Sequence, residues 1–89
     1  MVITREFVIK NQYGIHARPA ALFVKTCSQF ESDITVEKDG NRVSGKSIMG
    51  MMTLEASCGS TIIVTADGND AKQALEALEK LIESKFEEE

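Results

Sequence analysis

The chain has 89 residues, 43% of them hydrophobic and 27% charged, with 10 basic against 14 acidic side chains and a formal net charge of −4. That length and composition fit one small globular domain over residues 1–89, with a thin core, and not a disordered chain. No apolar run approaches the roughly 20 residues of a membrane span, and the acidic balance argues against nucleic acid, whose phosphates need a positive footprint.

Met1-Val2-Ile3-Thr4-Arg5-Glu6 has neither the shape nor the flanks of a signal peptide, so a cytoplasmic location is expected. Ile3, Arg5, Phe7 and Ile9 alternate with Thr4, Glu6 and Val8, which predicts a first strand. Asn11-Gln12-Tyr13-Gly14 reads as a loop. From Ala17 to Gln29, the residues Ala17, Ala20, Ala21, Phe23, Val24 and Cys27 share one face of a helix. Arg18, Leu22, Lys25 and Gln29 share the other.

Ile34 and Val36 alternate with charged residues, Asp39-Gly40 is a hairpin turn signal, and Arg42-Val43-Ser44 forms the return strand. A short helix runs from Ser47 to about Leu54. Thr61 to Ala66 is a β-rich run, followed by a turn and cap cluster, Asp67-Gly68-Asn69-Asp70. The last helix, about Ala71 to Lys85, lines up Ala71, Ala74, Leu75, Leu78, Leu81 and Ile82 on one stripe, and Glu87, Glu88 and Glu89 form an acidic tail. The order β-α-β-β-α-β-α predicts an α+β fold, with three helices covering one face of a four-stranded sheet.

The stretch Gly14-Ile15-His16-Ala17-Arg18-Pro19-Ala20 holds the only histidine and the only proline. Pro19 suits the first turn of a helix, where its missing N–H costs nothing. His16 then lies at the helix mouth, beside N–H groups with no intrahelical partner, which is a site for a phosphate or another anion. A lone histidine at a helix start is commonly just a cap. Here Gly14 loosens the backbone before it and Arg18 supplies a planar cation suited to phosphate oxygens. Together they read as a phosphohistidine site.

Gly-Ile-His-Ala-Arg-Pro-Ala at 14–20 resembles the active-site signature of HPr, the histidine-containing phosphocarrier of the bacterial sugar phosphotransferase system. Lys46-Ser47-Ile48-Met49-Gly50-Met51-Met52-Thr53-Leu54 resembles that family's regulatory serine segment. The resemblance runs from about residue 3 to residue 83. It implies an open-faced β-sandwich with a four-stranded antiparallel sheet. It implies a monomeric phosphocarrier, not an enzyme in the strict sense, that takes a phosphoryl group on His16 Nδ1 from enzyme I and passes it to a sugar-specific enzyme IIA. Arg18 and the Ala17 N–H would stabilise the phosphoryl oxygens. It also implies phosphorylation of Ser47 by HPr kinase/phosphorylase in lineages that possess one. Two alternatives remain open: an HPr-like co-repressor that acts on a catabolite-control transcription factor through phospho-Ser47, and a carrier in a nitrogen-regulatory branch. A small-molecule-binding regulatory domain lacks support, since no apolar pocket with converging polar groups can be read from the chain.

Independently of the resemblance, Ser47 has an ordinary reading as a helix N-cap. The helix after it is apolar on two sides, with Met51 and Leu54 on one and Ile48, Met49 and Met52 on the other. A short helix on a sheet buries only one side. Leu22, Ile48, Met49 and Met52 are therefore expected to form a docking patch near His16, ringed by Arg18, Lys25 and Lys46, with Arg42 adding to a locally basic face. Methionines that merely fill the core are the competing explanation. Cys27 and Cys58 have neither metal-ligand nor redox spacing and read as small, reduced core residues. With a single histidine, no metal cluster and no cofactor is expected.

Overall fold

The structure, a computed structural model, describes residues 1–88. Four strands, β1 (Val2–Val8), β2 (Asp33–Lys38), β3 (Asn41–Ser44) and β4 (Thr61–Asp67), form one antiparallel sheet in the order β1-β4-β2-β3. Three helices, α1 (Ala17–Cys27), α2 (Ile48–Thr53) and α3 (Ala71–Glu83), complete the order β-α-β-β-α-β-α. The element order, the antiparallel sheet and the α+β class are those expected.

The strand order follows from how the connections run. Since β4 is antiparallel to both β1 and β2, those two are parallel to each other, and β1-α1-β2 is a crossover that leaves room for one strand. By the same logic β3-α2-β4 is a crossover around β2. Right-handed crossovers, favoured by strand twist, put α1 and α2 on the same face. The hairpin between β2 and β3 is a two-residue turn in which Asp39 and Gly40 both have positive φ, 52° and 83°. That geometry matches strand twist and explains the Asp-Gly pair.

The helices cover the face formed by Phe7, Ile34, Val36, Ile62, Val64 and Ala66, and Phe23, Met51, Leu75 and Leu78 fill the layer above. Thr4, Glu6, Val8 and Thr61 stay exposed on the other face. Helix boundaries differ from the periodic pattern at two ends. The first helix stops at Cys27, with Ser28 as its C-cap, two residues short of Gln29. Its exposed Ala17 and Ala21 lie outside the buried stripe of Pro19, Ala20, Phe23 and Cys27. Alanine carries too little apolar surface to define a face. The last helix stops at Glu83 instead of Lys85, because the chain turns so that Phe86 can be fully buried.

Within the turn and cap cluster Asp67-Gly68-Asn69-Asp70, Asp70 takes the N-cap position of α3, but its carboxylate does not bond its own helix. It accepts from the Glu31 N–H at 2.9 Å, the Ser32 N–H at 3.0 Å and the Ser32 hydroxyl at 2.5 Å, tying the segment before β2 to the start of α3. The Ser32 hydroxyl bond, followed by the Glu31 N–H, holds the Asp70 carboxyl below its ordinary value of 3.8. A carboxyl whose pKa falls on folding stabilises the fold above its unfolded pKa, and this is lost as pH falls through the folded value. Asp70→Asn should therefore cost stability at neutral pH and progressively less below pH 3.8. Chemical unfolding of both proteins over a pH series would show it.

Candidate functional site

His16 is the N-cap of α1, with extended backbone angles (φ −101°, ψ −164°). Its side chain makes no capping bond. The first N–H groups of α1, those of Ala17 and Arg18, belong to the turn that has no intrahelical acceptors, and Pro19 offers none. The segment that presents His16 is pinned from several sides. The Ile15 N–H donates to the Ala56 carbonyl at 2.8 Å, and Ile15 itself is buried. The Asn11 side-chain amide donates to the Gly14 carbonyl at 2.7 Å. Gly14 has a φ of 66°, and a Cβ there would collide with the Ala56 carbonyl oxygen and stand 2.8 Å from Ser57 Cα. Glycine is needed here both for the backbone conformation and for the close approach to the segment before β4.

The ring of His16 is 44% exposed, and its Nε2 lies 3.0 Å from Glu88 Oε2. The other carboxylate oxygen accepts from Asn11 Nδ2 at 2.9 Å. Asn11 is fully buried, and its Oδ1 has no partner among the described residues. Neither Glu88 nor Asn11 stands out in the sequence as a site residue. The one available signal for Glu88 is Phe86, an aromatic set among charges, which marks an anchored end.

The cations are distributed unevenly. Arg18 and Lys25 are exposed and form no salt bridge among the described residues. The Lys46 ammonium donates to the Phe30 carbonyl at 2.9 Å, beyond the end of α1. Arg42 pairs with Glu37 across the β2–β3 hairpin at 3.2 Å, so its charge is met locally and does not add to a basic face.

On α2, Met51 and Leu54 are buried, whereas Ile48, Met49 and Met52 are exposed, Met49 by 75%. The α2 and α1 helices pack against each other, so these apolar side chains and the start of α1 belong to neighbouring elements. Leu22 is half-buried and packs against the core. Tyr13, in the loop before His16, is exposed. Ser47 is the N-cap of α2, and its hydroxyl accepts the Gly50 N–H at 2.9 Å.

The two cysteines part ways. Cys27 is in the core, where burial pushes its thiol up to about 12, slightly offset by the Lys46 ammonium. Cys58 is exposed, not a core residue, because it sits in the turn between Ala56 and β4, outside any buried stripe.

A family model described as the PTS HPr component phosphorylation site matches residues 3–84, a span that contains His16, Ser47 and every strand but the first residue of β1. The chain belongs to the HPr family. The phosphocarrier protein HPr of Treponema pallidum (strain Nichols) is 44% identical over 88 residues, which cover 99% of this chain and 100% of that protein. The HPr-like protein Crh of Halalkalibacterium halodurans is 46% identical over 82 residues, covering 92% and 98%. The crystal structure of HPr-C-His from Thermoanaerobacter tengcongensis superposes with a TM-score of 0.93 at 53% identity and covers 98% of each chain. The sheet order and helix layer described above are thus those of an HPr phosphocarrier of the phosphotransferase system. No helix among the described residues is long and apolar enough to cross a membrane.

Proposed function

We propose that this HPr-family chain is a single-domain, monomeric, cytoplasmic phosphocarrier that accepts a phosphoryl group on His16 from enzyme I and delivers it to a sugar-specific enzyme IIA. The observation that carries the reading is the exposed ring of His16 at the start of α1, with Nε2 3.0 Å from Glu88 Oε2; on this reading Nδ1 is the nucleophilic atom. The Nδ1 lone pair attacks the phosphorus held by the donor histidine, and the donor's P–N bond breaks as the new one forms. Little covalent chemistry is asked of the protein, so positioning and charge stabilisation do most of the work. The Ala17 N–H and the Arg18 guanidinium supply that stabilisation, the latter as a fork suited to phosphate oxygens. The chain turns over no small substrate and is not an enzyme in the strict sense.

Ile48, Met49 and Met52, with Leu22 at their edge, form the docking patch. Lys25 and Lys46 steer acidic partners toward it. Transient hand-over between proteins favours such apolar contacts with electrostatic guidance. Phosphorylation of Ser47 by HPr kinase/phosphorylase would add about −1.5 to −2 charges beside this patch and replace a hydroxyl that now caps α2. The likeness to the Crh protein of Halalkalibacterium halodurans favours a second reading, a regulatory module that works through phospho-Ser47 on a catabolite-control transcription factor. The presence of His16 favours the carrier.

Label transfer from phosphoenolpyruvate through enzyme I to this chain, and onward to an enzyme IIA, tests the proposal. In the same assay Arg18→Ala should lower the saturated transfer rate by about 10²-fold, the scale of losing one transition-state donor. Docking, measured by titration with enzyme I, should change far less. Weaker docking with an unchanged saturated rate would make Arg18 a recognition residue.

A further inference from the structure

Past the end of α3, Lys85, Phe86 and Glu87 have φ of 57°, 55° and 60°, three side-chain-bearing residues in succession in the left-handed region. Such a run persists only where packing over-determines it. Phe86 is fully buried and is the anchor. The turn carries Glu88 across to the loop before α1. There Oε1 accepts from Asn11 Nδ2 at 2.9 Å, and Oε2 lies 3.0 Å from His16 Nε2. The same Asn11 amide also donates to the Gly14 carbonyl, so the group that holds the carboxylate is locked to the backbone that presents His16.

We propose that Glu88 is a positioning residue for phosphoryl transfer, holding the His16 ring through Nε2–H and stabilising the positive charge the ring gains in the reaction. The inference rests on the phosphocarrier reading above. An ionised carboxylate only accepts hydrogen bonds, so a neutral ring bonded to it carries its proton on Nε2 and its lone pair on Nδ1. When that lone pair forms the N–P bond, the electrons of the broken P–N bond return to the donor ring. The His16 ring keeps its Nε2 proton and becomes cationic, and no proton has to leave. On onward delivery the N–P electrons return to His16 and the charge disappears. The Glu88 bond is thus stronger after attack than before it, which is the condition for accelerating a step and not merely tightening binding. A carboxylate behind the histidine of a serine hydrolase acts by the same logic. Glu88 touches no reacting atom.

Single-turnover acceptance from phosphorylated enzyme I should be compared for the full chain, Glu88→Gln, Glu88→Ala and Glu87→Gln, with the ¹⁵N resonances of the His16 ring recorded for each. Glu88→Gln keeps the shape and loses the charge. It and Glu88→Ala should slow acceptance at saturating enzyme I by about tenfold or more, the scale of a charge-assisted hydrogen bond, and move the Nε2 resonance. Glu87→Gln should change neither. Glu88 variants that accept at the unaltered rate or faster, or that leave the Nε2 resonance in place, overturn the inference while leaving the carrier intact. If the unaltered chain takes no phosphoryl group on His16, the carrier reading fails and this inference falls with it.

Discussion

Met51→Ala should cost about 2–5 kcal/mol of stability, the range for truncating a fully buried methionine and leaving a cavity. In a domain of this size that lowers the melting temperature by roughly 10 °C or more. Met49→Ala and Met52→Ala, on the exposed side of the same six-residue helix, should stay within about 1 kcal/mol, since little packing is lost. The binding effects should run the other way. The two exposed methionines are the docking residues, so their truncation should weaken the interaction with enzyme I and Met51→Ala should spare it. Thermal unfolding and partner titration of the three variants measure both halves of the contrast. A destabilising Met49 or Met52 together with a silent Met51 would contradict both the helix phase and the patch.

His16→Ala should abolish phosphoryl acceptance while leaving the fold in place. The ring is partly exposed, makes no capping bond, and contributes one contact to Glu88, which keeps its bond to Asn11. Pro19 and Ile15, which fix the helix start and the loop, are untouched. Circular dichroism should therefore show an unchanged fold beside a complete loss of label from enzyme I. Residual transfer in the variant would move the acceptor to another side chain.

How much of this was legible in the sequence depends on how local the cause is. The Asp39-Gly40 turn was readable because two successive positive φ values have a residue signature. The side of α2 occupied by Met51 and Leu54 was readable from helical spacing alone, and so was the cap at Ser47. Gly14, Pro19 and the place of His16 at a helix mouth followed from backbone chemistry within a few residues.

What escaped were contacts between distant parts of the chain. Glu88 meets His16 across 72 positions, and a run of glutamates reads as a solvated tail. The left-handed turn that delivers it uses Lys85, Phe86 and Glu87, none of them a residue that advertises positive φ. The turn and cap cluster before α3 pointed to a local role for Asp70, whereas its partners are Glu31 and Ser32, 39 and 38 positions back across β4, α2, β3 and β2. Arg42 looked like part of a basic face until pairing across the hairpin set it beside Glu37. Cys58 was misplaced for a different reason: the spacing of two cysteines says nothing about whether a turn residue is buried.

The central claim is that this HPr-family chain carries a phosphoryl group on His16. The most direct test is incubation with phosphoenolpyruvate and enzyme I, followed by mass spectrometry of the intact protein and its peptides. The account predicts one acid-labile phosphate, located on His16 and lost when an enzyme IIA is added. A chain that gains no phosphate, or one that carries it stably on Ser47 or another side chain with His16 unmodified, would contradict it.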